Sequence, residues 1–181
     1  MNHKSFKSEA VILSSKSFGE ADKIHVLYTK RYGKVSVISK GVRKLSSRKR
    51  GSMEVFNLIH FQAVETSGMP ILTEVEVVED YEEIRKSLRK ISVAYFFSDV
   101  VNKITRDQES NEELFYLLNK YLKRLEHATK LKDLRNIFTQ NMLSLMGFWP
   151  MSKPIDNPDK LLEEVLERKL GSVRVGKKIS V

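Results

Sequence analysis

The sequence predicts an α+β protein, with a small antiparallel β-barrel first and an α-helical domain after it. Two observations carry this prediction. Apolar residues alternate with a period of two over the first eighty residues, and beyond Tyr81 they recur at the spacing of an α-helix. The length of 181 residues allows one full domain and a smaller one. We therefore predict a barrel over residues 1–80 and an α-helical domain over residues 81–181.

Five short runs of β-branched and aromatic residues, each bounded by turn residues, predict the strands of the barrel. They are the segments EAVILSS, KIHVLYTK, GKVSVISK, EVFNLIHFQAVE and PILTEVEVVE. Gly33 lies in the turn KRYGKV, where a residue with positive φ is needed, and TSGMP is a second turn. This pattern favours an N-terminal five-stranded OB-fold β-barrel, with an SH3-like barrel as the weaker alternative.

Four later segments have the apolar spacing of helices. The first predicts one long helix, with AYFFSDVV at the centre of a bundle and a buried stripe comprising Ile84, Leu88, Ile91, Tyr95, Val100 and Ile104. NEELFYLLNKYLKRL predicts a second helix with Asn111 as its N-cap, and LKDLRNIFTQNMLSLMG predicts a third helix that ends at Gly147. The last helix, NPDKLLEEVLERKLG, begins after Asn157 and stops at Gly171.

Charge is distributed unevenly along the chain. Residues 1–50 hold thirteen Lys or Arg and three acids, a net charge of +10, whereas residues 51–80 hold six acids and no Lys or Arg. The net charge of the whole chain is +9. A basic surface beside an acidic one indicates a polyanionic partner, and a phosphate backbone is the commonest such partner.

The stretch KGVRKLSSRKRG, residues 40–51, concentrates most of this charge, and we call it the cationic loop. Its cations are Lys40, Arg43, Lys44, Arg48, Lys49 and Arg50. It follows the third predicted strand, and Lys34 lies in the hairpin before it. Such side chains can neutralise backbone phosphates. The alternative is a solvated, mobile loop that only aids solubility.

Aromatic residues among these cations are candidates for stacking on unpaired bases. Phe18 and Tyr32 lie beside predicted turns and are the better candidates. Tyr28 lies in a strand with Ile24 and Val26, so core packing is at least as good an interpretation.

Acidic residues have ordinary structural interpretations. Glu20 and Asp22 are expected to cap turns or to pair with Lys23 rather than to bind a metal ion. Glu74 and Glu76 share one face of the last predicted strand, and the acids that follow them lie near a helix start, where the dipole favours them. The alternative is an acidic contact for a basic partner protein.

Nothing in the sequence points to catalysis or to a cofactor. The four histidines are isolated, and no Gly-rich phosphate loop, nucleophile elbow or pair of catalytic carboxylates occurs. The absence of cysteine excludes disulfides and thiolate chemistry. The apolar run near the N-terminus is too short for a signal peptide, and no stretch approaches a membrane span. We expect a soluble, cytoplasmic protein that is not an enzyme.

Three stretches resemble the bacterial RecO family of recombination mediators. Residues 17–61 contain a GE-D turn, a hairpin LxTxxxGK, a loop KGxRK and a following SR. AYFFSDVV with ELFYLLNKYLKRL is similar to the first helices of that family, and NMLSLMGFWP is similar to its signature of Gly, an aromatic residue and Pro. The likeness covers residues 6–150.

The resemblance implies an N-terminal OB-fold and a helical C-terminal domain in a protein of the bacterial cytoplasm or nucleoid. It implies binding of single- and double-stranded DNA, strand annealing, and partnership with RecR in loading recombinase onto strands coated by single-stranded DNA-binding protein. It also implies contact with the acidic C-terminal tail of that coating protein. The DNA role is carried over to the matching cations: Lys34, Lys40, Arg43, Lys44, Arg48, Lys49 and Arg50.

One departure from the family pattern concerns zinc. Many relatives carry a four-cysteine zinc module after the aromatic and Pro signature, and this chain has no cysteine. The module is expected to be missing, which puts functions that depend on it in doubt. Two other functions remain open on the residues alone: an RNA-binding OB-fold module and a scaffold that binds only proteins.

Overall fold

The computed structural model describes residues 4–44, 47, 51–150 and 153–166. Its first part is a closed barrel of five strands, which are β1 (Ser5–Phe18), β2 (Asp22–Thr29), β3 (Gly33–Ser39), β4 (Leu58–Val64) and β5 (Ile71–Glu79). The order around the barrel is β1-β2-β3-β5-β4. Neighbouring strands are antiparallel except β3 and β5, which form one parallel pair between Ile38 and Ile71. The predicted five-stranded OB-fold barrel is confirmed.

The barrel interior explains the alternating sequence pattern. Every second residue of each strand points inward, so one apolar set from all five strands fills a single core. Its strand members are Ala10, Ile12, Leu27, Val37, Ile59, Phe61, Ala63 and Leu72. Val11 and Leu13, on the other face of β1, are also buried, which explains why that strand has an unbroken apolar run.

The chain divides into two compact units, and the first includes a segment from far along the sequence. It comprises Met1–Asp80 together with Thr105–Phe115. The backbone N–H of Gln108 donates to the carbonyl of Lys34 at 3.0 Å, and the hydroxyl of Tyr28 donates to the carbonyl of Asn111 at 3.3 Å. Burial raises the pKa of Tyr28 to about 12. The division at residue 80 stays a prediction.

Gly33 begins β3 with φ of +64°, so the predicted positive φ at this turn is confirmed. A Cβ atom at Gly33 would lie 2.1 Å from the backbone oxygen of Glu109. The turn thus needs glycine for its backbone conformation and for the close approach of the segment 105–115.

The helices are α1 (Glu82–Arg85), α2 (Leu88–Ile104), α3 (Glu112–Glu126), α4 (Leu131–Leu145) and α5 (Pro158–Leu166). The prediction of one long helix after Tyr81 was wrong, because the helix is interrupted between the end of α1 at Arg85 and the start of α2 at Leu88. The hydroxyl of Ser87, directly before α2, accepts from the N–H of Lys90 at 3.5 Å. Leu88 and Tyr95 are consequently 64% and 48% exposed.

Other features of the helices agree with the sequence. AYFFSDVV lies in the buried part of α2, where Phe96, Phe97, Val100 and Val101 are at most 2% exposed. The side chains of Asn111 and Asn157 cap α3 and α5, accepting from the N–H of Leu114 at 2.9 Å and of Lys160 at 3.1 Å.

Gly147 ends α4 with φ of +78°. The backbone N–H of Gly147 donates to the carbonyl of Ser144, and that of Phe148 donates to the carbonyl of Leu143. This pair of bonds is the Schellman motif. The predicted stop at Gly171 lies outside the described residues.

His25 is buried in β2, and neither of its ring nitrogens has a hydrogen-bond partner among the residues that the structure describes. Burial, and secondarily the charge of Lys23, lowers the pKa of His25 from 6.5 to about 4. Between these values the unfolded chain binds a proton that the native chain does not. The stability from neutral His25 is therefore present above pH 6.5 and is lost as the pH falls towards 4.

Replacing His25 with leucine should reduce the acid sensitivity of folding. We expect the variant to lose up to about 3 kcal/mol less than the wild type on acidification, because its buried side chain does not titrate. Urea unfolding at a series of pH values measures this. His60→Gln, at an exposed histidine, is the control. Parallel loss of stability in the wild type and His25→Leu would contradict the assignment.

Candidate nucleic-acid interface

The turn between β1 and β2 holds the start of the cationic loop. The N–H of Gly41 donates to Oδ1 of Asp22 at 2.7 Å, and the N–H of Arg43 donates to the carbonyl of Ala21 at 2.9 Å. Gly41 has φ of +65°, which directs the chain back across this turn. Asp22 therefore caps a turn, which is one of the two roles that the sequence suggested for it.

Cationic side chains at this position are exposed, although the backbone that carries them is fixed. Lys40, Arg43 and Lys44 are exposed, whereas Val42 between them is 2% exposed and belongs to the barrel core. One guanidinium nitrogen of Arg43 donates to the carbonyl of Gly19 at 3.2 Å. Since a guanidinium has five N–H donors, Arg43 retains donors for a phosphate.

The far end of the cationic loop is also anchored. The side-chain amide of Asn57 donates to the carbonyls of Gly51 at 3.3 Å and Ser52 at 3.1 Å. Met53 is 1% exposed and packs into the barrel core. Asn57 was not singled out from the sequence, because no local pattern marks it. The predicted site residues Arg48, Lys49 and Arg50 lie outside the described residues.

Lys34 occupies a different place. Its ammonium donates to the carbonyl of Thr105 at 2.8 Å, lies 3.4 Å from a carboxylate oxygen of Asp107, and its side chain is 15% exposed. Lys34 lies near the first residue of β3, whereas Lys40 directly follows the last. A difference of six positions along an extended strand corresponds to about 20 Å. The structure brings Lys40, Arg43 and Lys44 together but not Lys34, whose role towards nucleic acid stays a prediction.

Pairing of β1 with β2 brings further side chains to the loop end of the barrel. Phe18 pairs with Asp22, and Lys23 pairs with Ser39, directly before Lys40. Phe18 is 48% exposed. Tyr32, the other stacking candidate, lies in the turn at the opposite end of β2. Phe18 is thus the exposed aromatic residue beside the cationic loop.

The acidic side of the barrel lies along β5. Glu74 and Glu76 are exposed and pair across the sheet with Gln62 and His60.

In the part of the chain that the structure describes, no three His, Asp or Glu side chains form a group that could hold a metal ion. The sequence contains no cysteine, so it offers no thiolate ligand for a metal ion. None of the described helices is long and apolar enough to cross a membrane.

Comparison with known proteins matches both parts of the chain. The family model described as Recombination protein O N terminal matches residues 1–81, and the model described as Recombination protein O C terminal matches residues 85–152.

The most similar curated relatives include three proteins named DNA repair protein RecO. The protein of Geobacter metallireducens is 32% identical over 144 residues, which cover 80% of this chain and 59% of the relative. The protein of Pelotomaculum thermopropionicum is 32% identical over 148 residues, covering 82% and 57%, and that of a Thermoanaerobacter species is 32% identical over 146 residues, covering 80% and 58%. The chain thus spans less than two thirds of the length of these relatives. On the two family matches, the chain belongs to the RecO family, whose N-terminal domain is the OB-fold.

Proposed function

We propose that this chain is a non-enzymatic DNA-binding protein of recombinational repair. It binds and anneals DNA strands and, with RecR, helps to load recombinase onto single-stranded DNA coated by its binding protein. Membership of the RecO family and the name of its relatives, DNA repair protein, support the repair role. The observation that carries the DNA-binding role is the exposed cluster of Lys40, Arg43 and Lys44 on an anchored backbone.

The proposed contacts are phosphate contacts without base readout. Lys40, Arg43 and Lys44 neutralise phosphates at the loop end of the barrel, and Arg48, Lys49 and Arg50 extend the same charge along the cationic loop. Phe18 offers a stacking surface for one unpaired base, which favours single strands over duplex. Lys34 is engaged with Thr105 and Asp107, so we assign it long-range attraction rather than a direct contact.

Annealing follows from neutralisation. Two complementary strands repel each other through their phosphates, and at low ionic strength this repulsion extends over about 10 Å or more. A strand whose charge is partly neutralised by the cationic loop repels its complement less, so the strands pair faster. The partnerships with RecR and with the acidic tail of the coating protein rest on family membership alone, and we assign no residues to them.

Fluorescence anisotropy with a labelled single-stranded DNA tests the proposal. The full chain should bind DNA with an affinity that falls steeply as salt rises, and should accelerate annealing of complementary strands with and without single-stranded DNA-binding protein. Structured RNA that displaces the DNA at lower concentration would favour an RNA-binding module instead. Failure to bind either nucleic acid at physiological salt would favour a scaffold that binds only proteins.

A further inference from the structure

We infer that Asp22 is a positioning residue of the nucleic-acid site, which fixes the start of the cationic loop so that the backbone carrying Lys40, Arg43 and Lys44 is ordered before a strand arrives. The inference rests on the proposed function and adds a requirement to it: an acceptor oxygen at position 22, here that of a carboxylate, is needed to hold the backbone that carries the cations.

The geometry is a three-bond clasp between two loops. Besides the bond from Gly41 to the Asp22 carboxylate at 2.7 Å, Arg43 makes one bond through its backbone to Ala21 and one through its side chain to Gly19. The Asp22 bond has an ionised acceptor, which makes it about twice as strong as a neutral one. The clasp encloses Val42, which packs into the barrel core.

The electrostatic sign makes this role distinctive. Asp22 places a negative charge among Lys23, Lys40, Arg43 and Lys44, where by itself it opposes a phosphate backbone. A site selected for charge alone would have no carboxylate here. The carboxylate is understandable if the order that it imposes on residues 40–44 outweighs its repulsion. Ordering these residues only on binding would cost conformational entropy that the clasp has already removed.

Asn57 supplies an independent, neutral anchor at the other end. Its amide holds the carbonyls of Gly51 and Ser52, and the side chain is 2% exposed. The described ends of the cationic loop are therefore both tied to the barrel. Asp22 is charged and Asn57 is neutral. Substitutions of Asp22 can therefore separate the effect of backbone position on binding from the effect of charge.

Three substitutions of Asp22 in the full chain test the inference. Asp22→Ala loses both the acceptor and the charge, Asp22→Asn keeps an acceptor oxygen without the charge, and Asp22→Glu keeps the charge but moves the acceptor outward by one methylene. Affinity for single-stranded DNA is measured by anisotropy, and hydrogen exchange of the Gly41 amide reports the clasp.

We expect Asp22→Ala and Asp22→Glu to bind DNA about tenfold more weakly, and Asp22→Asn to bind at least as tightly as the wild type. A tenfold loss corresponds to about 1.4 kcal/mol, the scale of one hydrogen bond. Exchange at Gly41 should accelerate at least about tenfold in the Ala and Glu variants and much less in Asn. The melting temperature identifies any variant that fails to fold, and in that case the remaining two decide.

Tighter binding by both Asp22→Ala and Asp22→Asn would reduce Asp22 to a repulsive charge and overturn the inference. Equal affinity of all variants and the wild type would also overturn it, while leaving the proposed function intact. A wild-type chain that does not bind DNA would overturn both the inference and the proposed function. An unchanged rate of hydrogen exchange at the Gly41 amide in Asp22→Ala would show that Asp22 does not hold this part of the backbone.

Discussion

Replacing Lys40 and Lys44 with glutamine is expected to weaken single-stranded DNA binding about 20-fold at about 0.1 M salt. Each phosphate neutralised on a single strand contributes about 0.7 to the slope of log affinity against log salt concentration, so two lost contacts lower the slope by about 1.4. Both side chains are exposed and lie beyond the end of β3, so the substitutions leave the barrel core intact. Anisotropy titrations between about 0.05 and 0.4 M salt measure the slope and the affinity together.

A matched control lies on the same barrel. Lys4 and Lys7 are exposed and lie near the start of β1, at the end away from the cationic loop. Replacing both with glutamine changes the net charge equally, and we expect the salt slope to stay close to that of the wild type. If the two double variants lower the slope by the same amount, net charge rather than the cationic loop governs binding. Long-range attraction alone then accounts for the affinity.

The barrel could be predicted because its interior imposes a local rule. Inward and outward residues alternate along each strand, so the period of two already identifies the strands in the sequence. Alternation alone did not decide the inward face of β2: core packing was considered for Tyr28, which is buried, but the β2 residue in the barrel core is Leu27. The prediction of one long helix after Tyr81 was wrong for the opposite reason. Its buried stripe depends on where α2 starts, and the break before Leu88 shifts the phase of every later residue. A spacing rule applied across that break therefore placed Tyr95 inside when it is exposed.

The site shows the same division between local and non-local information. Six cations in the cationic loop are evident from the sequence, whereas their surroundings follow from strand pairing. Lys34 precedes Lys40 by only six residues, yet extended strand geometry puts them at opposite ends of β3. The contact of Lys34 with Thr105 spans 71 residues, and no period or motif announces it. The anchoring role of Asn57 likewise depends on how β4 enters the barrel.

The turn at Gly33 is where these long-range contacts should be most sensitive to mutation. Gly33→Ala is expected to lower the free energy of unfolding by about 3 to 5 kcal/mol. Part of the loss is the cost of alanine at positive φ, about 1 to 2 kcal/mol. The rest arises because the new Cβ atom would lie 2.1 Å from the backbone oxygen of Glu109, and backbone cannot move aside as a flexible side chain can. Urea unfolding measures the loss.

Gly19→Ala separates the two causes, because Gly19 has φ of +59° and a Cβ atom there meets nothing within 4 Å. We expect Gly19→Ala to lose only the conformational part, about 1 to 2 kcal/mol. In folded Gly33→Ala, displacement of the segment 105–115 should also expose Tyr28 and bring its pKa down from about 12 towards 10, which ultraviolet titration detects. Equal losses in the two variants, with an unchanged Tyr28 titration, would mean that the segment does not press on the turn.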